Sequence, residues 1–458
     1  MPKRGIGGIS LRLRENLARS TGLPFRELLT EEELSCLVAE LGVGLRDHLY
    51  TPVVTVLAFV AQILSDGSCR QAVGRVIATL VTEKQEAPSS NTSAYCQARG
   101  KLPESFFKGC LDKTSGKLEE RADAKDLWLK RHRVLVVDGS SAQMPDTAEN
   151  RAEFGLPSGV KAGCGLPIIF FVGIFSLATG VLRRLVIGAK GAHERHLFRE
   201  GWDVFSPGDV ALGDRGFCSY ADIAQLQERG VHSVFRIFNR KPDFREGERL
   251  CKEDHIVTWI KPLICPRGMS EEEFKALPET LTVRELRIRI QCKGFRSQLV
   301  LLVTTFLDTK IYTKEVLADL YRRRWEAELD FRHIKTTLGM ELLATKSPEM
   351  IRKEIHTYLI AYNLIRTLMW EAGCRYEIDP LRISLKGTLD HLILFASHLA
   401  TATEAEHTRL VQELLHLMAR DIVPYRPNRV EPRVVKRRPK NYRRMTKPRQ
   451  ALKKALLA

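Results

Sequence analysis

One carboxylate, Glu328, is surrounded by positive charge in the segment "YRRRWEAELDFRHIKTTLG" at residues 321–339. On an ideal helix of about 100° per residue, it shares an arc of about 60° with one aromatic and two basic side chains. These neighbours are Tyr321, Arg324 and Lys335, with Arg332 at the border of the arc. If Glu328 helps to hold a divalent metal, the basic side chains can bind the non-reacting phosphates of a nucleic-acid backbone. The pattern therefore indicates chemistry on phosphodiesters.

The same spacing also fits a simple ion pair within one helix, because Arg324 and Glu328 are four residues apart. An exposed pair of that kind stabilises a helix by only about 0.3–0.5 kcal/mol. It would not require Tyr321 and Lys335 on the same face. Both interpretations stay open at this point, since Mg²⁺ prefers several oxygen ligands and one carboxylate cannot hold it well.

Two aspartates can supply the further oxygen ligands. Asp138 follows the apolar run "VLVV", and Asp214 follows "VALG"; each is expected where a strand gives way to a loop. Either one alone would more often be structural, but together with the Glu328 helix they favour a metal site. Asp146 and Asp209 are rivals, although neither directly follows an apolar run.

The elements expected to position these residues are helical at both ends of the chain and mixed in the middle. Apolar residues recur at helical spacing through residues 10–115, a pattern compatible with a helix-turn-helix. From about residue 130, β-branched runs alternate with helices, which indicates an α/β domain with a mixed sheet. The predicted segments are a helical N-terminal domain that is a candidate for DNA binding (1–115), the first part of the catalytic core (130–238), a β-rich insertion (239–298), the second part of the core with the Glu328 helix (299–372), C-terminal helices (373–423) and a disordered basic tail (424–458).

Positive charge is concentrated in that tail. The chain of 458 residues carries 72 Lys and Arg against 55 Asp and Glu, a formal net charge of +17. Residues 424–458 contain thirteen bases and one acid, so their net charge of +12 leaves +5 for the rest. We expect the tail to bind DNA nonspecifically; a solvated tail that only aids solubility is the alternative.

The remaining composition indicates a soluble, cytoplasmic protein without a membrane partner. Ten cysteines occur without a Cys-x-x-Cys pair, which fits reduced thiols rather than a zinc site or a disulfide scaffold. The N-terminus lacks the pattern of a signal peptide. The apolar run at 166–182 is better explained as two strands than as a membrane span. "HERH" does not match the zinc-protease motif, so Glu194 is interpreted as a helix-start residue, with an active-site role as the lesser alternative.

Several motifs together resemble a known family. Tyr321, Arg324, Glu328 and Lys335 are similar to the Tyr-Arg-Glu-Lys signature of DDE transposases of the insertion-sequence-four type. "VVDGSSAQMPDTAEN" and "GDVALGDRGFCSYADI" resemble the regions that carry the first and second aspartates of that family. The resemblance covers most of residues 30–370, and the combination of motifs is highly specific.

The resemblance implies a fold and an activity. The fold would be an α/β, RNase H-like mixed sheet with a β-rich insertion between the second aspartate and the glutamate. Asp138, Asp214 and Glu328 would be catalytic and bind two Mg²⁺ ions, for which Mn²⁺ can substitute. The activity would be metal-dependent cleavage of DNA at transposon ends and strand transfer into target DNA. The DNA-contacting residues would be Tyr321, Arg324, Arg332 and Lys335.

The resemblance also implies partners. They are the DNA of the terminal repeats and of the target, and a second copy of the chain in a homodimeric synaptic complex, associated with a bacterial nucleoid. Related enzymes cut through a DNA hairpin and hold a flipped base with an aromatic side chain from the insertion. Trp259 is the candidate for that role, and a core tryptophan is the alternative.

Two other functions stay open from the sequence. An RNase H-like, structure-selective nuclease would cleave without strand transfer, and the sequence separates it poorly from a transposase. A transposase-derived DNA-binding protein that has lost catalysis would fit the basic tail. The intact set of Asp138, Asp214 and Glu328 argues against that second function.

Overall fold

The computed structural model describes residues 28–43, 49–65, 67–82, 84–161, 163–188, 191–237, 242–266, 268–290, 298–424 and 445–457. The chain divides into two compact units. One unit comprises residues 1–121 and 331–423, and the other comprises residues 122–330 and 424–458. Most of the basic tail, residues 425–444, lies outside the described residues, and its described end contains a helix.

Fifteen α-helices occur in the described residues. They are α1 (Glu31–Glu40), α2 (Pro52–Leu64), α3 (Cys69–Thr82), α4 (Ser93–Lys101), α5 (Glu104–Glu119), α6 (Ala148–Phe154), α7 (Glu194–Glu200), α8 (Tyr220–Glu228), α9 (Glu271–Ala276), α10 (Lys314–Arg323), α11 (Trp325–Arg332), α12 (Pro348–Tyr376), α13 (Leu385–Thr401), α14 (Glu404–Arg420) and α15 (Arg449–Leu457). A π-helix follows α11 at His333–Thr337, and short 3₁₀ helices occur at Ala124–Asp126, Trp202–Val204 and Pro380–Arg382.

Local sequence signals set many of the helix starts. Thr30 caps α1 in a capping box with Glu33, in which each side chain bonds the backbone N–H of the other residue. Thr51 caps α2, and Pro52 occupies the first helical position, where its missing N–H costs no hydrogen bond. Such caps explain why the helical N-terminal part of the chain could be predicted.

The strands form one mixed, nine-stranded sheet in the order β3-β2-β1-β4-β5-β9-β8-β7-β6. They are β1 (Val134–Gln143), β2 (Ile168–Ser176), β3 (Leu182–Gly188), β4 (Val210–Gly213), β5 (His232–Arg236), β6 (Glu248–Cys251), β7 (Asp254–Ile260), β8 (Thr280–Ile290) and β9 (Gln298–Thr304). Strands β1, β2 and β3 pair antiparallel, and β4 and β5 run parallel to β1. This part confirms the expected RNase H-like sheet.

The predicted insertion is also rich in strands. Strands β6, β7 and β8 lie within residues 239–298 and continue the sheet beyond β9 by antiparallel pairing. The α/β fold class with a β-rich insertion and a helical N-terminal part is therefore confirmed.

The core of the sheet unit lies between one face of β1 and the helices α7 and α8. Leu135 and Val137 of β1 pack there with Phe198 of α7 and Ile223 of α8. Because side chains alternate along a strand, Asp138 points to the opposite face from Val137. The rigid, buried strand therefore fixes the position of this carboxylate.

Among the described helices, none is by itself long and apolar enough to cross a bilayer. The pair α2 and α3 meets the length and composition criteria only when taken together, and the two helices are bent by 119°.

Candidate active site

The first predicted site residue, Asp138, lies inside a strand. The expectation that the strand ends before it is wrong, because the antiparallel pairing with β2 continues to Gln143. The parallel pairing with β4 stops earlier, at Val137 and Gly213. Asp138 is thus the first residue of β1 beyond its partner β4, and its Oδ1 accepts a hydrogen bond from the Gly139 N–H at 3.0 Å.

The second predicted residue, Asp214, directly follows β4, as expected. Its Oδ1 accepts a hydrogen bond from the Gly216 N–H at 2.7 Å. Since β1 and β4 are parallel neighbours and Val137 pairs with Gly213, Asp138 and Asp214 lie side by side where β4 ends. We call this end of β4, with the adjoining part of β1, the catalytic edge of the sheet. Two adjacent strands therefore aim two carboxylates at one region.

The segment that carries Glu328 is not one continuous helix, contrary to the expectation for residues 321–339. Helix α10 ends at Arg323 and α11 begins at Trp325, with Arg324 between them. The Arg324 N–H donates to the Tyr321 carbonyl, and the Ala327 N–H donates to the Arg324 carbonyl, both at 3.2 Å. Both bonds join residues three apart, as in a 3₁₀-helix, so the backbone is wound more tightly at Arg324 than in an α-helix. The π-helix after α11 is wound more loosely. An ideal wheel therefore does not describe the whole segment.

Three carboxylates and one guanidinium meet at this edge of the sheet. Arg324 donates to Glu328 Oε1 at 2.7 Å, so the ion pair that the sequence left open is formed. Burial raises the pKa of Asp138 to about 7; the Arg324 guanidinium opposes this rise, and the Glu328 and Asp214 carboxylates add to it. The pair is thus part of a larger cluster that contains more negative than positive charge.

Tyr321 borders the cluster together with Arg236, which the sequence did not point to. A second residue that was not predicted, Trp325, is the sequence neighbour of Arg324. Burial raises the pKa of Tyr321, an effect that Arg324 and Arg236 oppose and Asp214 increases. Arg236 ends β5, the next parallel strand, so its position at a strand end was the available signal. Trp325 begins α11 directly after Arg324, and this aromatic side chain is 51 % exposed.

Three further residues were predicted to contact DNA. Arg332 and Lys335 are assigned to the other compact unit, at the end of α11 and on the π-helix. Trp259 of β7 is 7 % exposed and packs in the core. Its indole N–H donates to Glu285 Oε1 at 2.6 Å, which favours the alternative of a core tryptophan.

The two rival aspartates are engaged in ion pairs. Asp209 is buried and accepts two hydrogen bonds from Arg133, at 2.5 and 3.1 Å. Asp146 pairs with Arg151 at 3.0 Å. Both carboxylates thus have protein partners that account for their positions.

The cluster fits a divalent cation in its donor chemistry. In the ranges that the structure covers, no group of three or more His, Cys, Asp or Glu side chains is already spaced to hold a metal ion. The donors are nevertheless carboxylate oxygens, the ligands that Mg²⁺ prefers. Glycine also leaves space beside them, since a Cβ at Gly216 would lie 3.1 Å from Asp214 Oδ1. Asp138, Asp214 and Glu328 are therefore the residues that could hold such an ion.

The sequence is similar to those of known transposases. Residues 129–364 match the family model described as "Transposase DDE domain". The chain is 27 % identical over 354 residues to the transposase InsG for insertion sequence element IS4 of Escherichia coli K12, which covers 76 % of this chain and 77 % of that protein. It is 27 % identical over 215 residues to a putative transposase for element IS4SA of Synechocystis, covering 46 % and 56 % of the two chains.

A solved structure shows a weaker likeness. The piggyBac transposase synaptic complex with hairpin DNA, determined by cryo-EM, matches with a TM-score of 0.42 and 11 % identity. The match covers 85 % of this chain and 84 % of that chain. A score this low supports no inference about the present protein.

Proposed function

Since the chain belongs to the family of transposases with a DDE domain, we propose that Asp138, Asp214 and Glu328 form its catalytic centre. The chain is a DNA transposase, and its resemblance to the insertion-sequence-four type is confirmed. The observation that carries the proposal is the meeting of the three carboxylates, from two strands and one helix, around the raised pKa of Asp138. A carboxyl group whose pKa is raised by burial and by neighbouring charges is a common mark of a functional site.

Transposases of this family depend on a divalent metal, and we propose Mg²⁺, with Mn²⁺ as a substitute. Asp138, Asp214 and Glu328 would hold it. When bound, the cation supplies Lewis-acid stabilisation of charge on the phosphoryl oxygens during cleavage and strand transfer. Its positive charge would also compensate the excess negative charge of the three carboxylates.

The cationic side chains of this edge would bind the DNA backbone. Arg324 and Arg236 flank the Tyr321 hydroxyl, so that two guanidinium groups and one hydroxyl can contact phosphate oxygens. Exposed Trp325 offers a surface on which a base can stack. We extend the proposal of phosphate contacts to Arg332 and Lys335, on the basis of the family signature and of their place in the same segment.

The partners follow from the reaction. Joining two transposon ends to a target requires two active sites, so we propose a homodimer in the synaptic complex. Bacterial transposon ends and target DNA would place the protein at the nucleoid. A hairpin route belongs to the same proposal, and an aromatic residue other than the buried Trp259 would hold a flipped base.

The test is a cleavage assay on DNA that carries the element's own ends, with Mg²⁺ and products resolved under denaturing conditions. We expect wild type to nick, cleave and join strands, and Glu328→Gln to lose on the order of 10³-fold in cleavage rate while still binding the ends. The matched control is Glu326→Gln on the same helix, whose carboxylate pairs with Arg323 at 3.1 Å. We expect this variant to cleave within about twofold of wild type, because a pair that is about one-third exposed contributes little.

Either of two outcomes would contradict the proposal. Equal losses in Glu326→Gln and Glu328→Gln would mean that the helix, and not the Glu328 carboxylate, is required. Cleavage without joined products would instead identify a nuclease with the same catalytic centre.

A further inference from the structure

A fourth carboxylate reaches the same edge of the sheet. Glu194 is the first residue of α7, after the N-cap His193. A Cβ placed on Gly139 would lie 2.7 Å from Glu194 Oε1, and one placed on Gly216 would lie 3.1 Å from Glu194 Oε2. The Glu194 carboxylate therefore occupies space that two glycines leave open. Gly139 directly follows Asp138 in β1, and Gly216 lies two residues after Asp214.

The position of Gly216 relates Glu194 directly to Asp214. The same Cβ point lies 3.1 Å from Asp214 Oδ1 and 3.1 Å from Glu194 Oε2, so these two oxygens are at most about 6 Å apart. Two oxygens that share one Mg²⁺ lie about 2.1 Å from it, hence up to about 4 Å from each other. A small side-chain rotation of exposed Glu194 covers the difference.

No described protein group accounts for this placement. Among the residues that the structure covers, the Glu194 carboxylate has no hydrogen bond or ion pair, whereas Glu200 at the other end of α7 pairs with His196 at 3.1 Å. An acid in the first turn of a helix stabilises the helix dipole by about 0.3–1 kcal/mol. That effect is equally available to a carboxylate that points into solvent, so it does not explain why Glu194 lies over Gly139 and Gly216.

We propose that Glu194 is a fourth metal-binding carboxylate of the catalytic centre and acts with Asp214. Asp138 lies on one face of β1, and Gly139, with Glu194 beside it, lies on the other. Asp214, at the end of the neighbouring strand, would then share one cation with Asp138 on one face of the sheet and one cation with Glu194 on the other. This inference rests on the proposed function, in which Asp138, Asp214 and Glu328 hold a divalent cation.

The test measures Mn²⁺ binding to the full-length chain without DNA, from the electron paramagnetic resonance signal of free Mn²⁺. We expect Glu194→Gln to weaken the affinity for Mn²⁺ by about tenfold or more, with the melting temperature of the metal-free chain unchanged. The matched control is Glu149→Gln, which alters another exposed acid in the first turn of a seven-residue helix of the same unit. This control should bind Mn²⁺ as wild type does.

A second variant tests the geometry without removing a carboxylate. Gly139→Ala places a methyl group where Glu194 Oε1 lies, so we expect it also to weaken Mn²⁺ binding. The same substitution should have no further effect in a Glu194→Ala chain. Additive effects of the two changes would count against a shared mechanism.

Asp214→Asn separates the failure of this inference from that of the proposed function. If Asp214→Asn loses Mn²⁺ binding and Glu194→Gln retains it, Glu194 is only a helix-start residue and the metal centre stands. If Asp214→Asn also retains wild-type binding, the proposed metal centre is wrong, and the role of Glu194 falls with it.

Discussion

Two groups of charged residues in the same nine-stranded sheet differ in how far their carboxylates are neutralised by protein partners. In the insertion, Arg284 of β8 donates to both oxygens of Asp254 at 2.8 and 2.6 Å, and to the Tyr312 carbonyl at 2.5 Å. Both side chains of this pair are 2 % exposed. The carboxylate of Asp254 is thus neutralised by a partner on the neighbouring strand.

A second buried acid of the insertion is satisfied in the same way. Glu285 Oε2 lies 3.0 Å from His255 Nε2, and Oε1 accepts from the Trp259 indole N–H at 2.6 Å. The other ring nitrogen of His255 lies 2.7 Å from the Glu246 carbonyl oxygen. Every oxygen of these two buried acids has a partner within the protein, as the cost of burying charge requires.

The catalytic edge lacks this compensation. Asp138 and Asp214 each accept one backbone N–H, and the guanidinium of Arg324 pairs with Glu328. Burial raises the pKa of Asp138, and the Glu328 and Asp214 carboxylates add to this rise, although the Arg324 guanidinium opposes it. The comparison suggests that the insertion network serves stability, whereas the catalytic edge leaves its charge to be balanced by a ligand.

The largest expected effect is the loss of stability when the insertion pair is broken. Arg284→Leu leaves the buried Asp254 carboxylate without a partner, which should cost about 3–5 kcal/mol in the free energy of unfolding. Urea denaturation of the metal-free chain measures this change. Arg287→Leu is the control on the same strand, because its pair with Glu253 is about one-third exposed on both sides and should contribute at most about 1 kcal/mol. Similar costs for both variants would show that burial of the pair does not decide its contribution.

The next effect concerns Trp259. Trp259→Phe keeps an aromatic ring but removes the N–H that bonds Glu285, so it should lower the free energy of unfolding by about 1–3 kcal/mol. Binding of hairpin DNA by the remaining folded protein should stay at the wild-type level. If stability is unchanged and binding of hairpin DNA is lost, the core interpretation of Trp259 is wrong and its role with a flipped base is favoured.

The catalytic edge was easier to predict from the sequence than the insertion network. Asp214 was found because an apolar run precedes it, and that signal is local. The full length of β1 could not be predicted from the sequence, because it depends on pairing with β2. The run "TVRELRIRI" predicted a strand, but its charged residues gave no sign of burial. Arg284 and Asp254 are thirty residues apart, so their pairing depends on the register between two strands, which single-sequence patterns do not encode.

The smallest expected effect is an increase in the free energy of unfolding, caused by Asp138→Asn. It tests whether Asp138, unlike Asp254, lacks a partner that compensates its charge. The folded-state pKa of Asp138 is raised from 3.8 to about 7, so between these pH values the folded chain binds more protons than the unfolded chain. Stability therefore falls as the pH rises through this window. Asp138→Asn has no charge to bury, and it should make the metal-free chain more stable than wild type at pH 8 by on the order of 1–2 kcal/mol, allowing for partial solvent screening.

The advantage of Asp138→Asn should shrink toward zero as the pH falls to about 4. It should level off only above about pH 8, where the wild-type group is largely ionised in both states. Urea denaturation with a chelator, repeated from pH 4.5 to pH 8, measures this profile. Asp254→Asn is the matched variant, and it should destabilise the chain at every pH in this range, because it weakens a satisfied ion pair. If Asp138→Asn also destabilises the chain at pH 8, the protein itself compensates Asp138, and the contrast between the two regions does not hold.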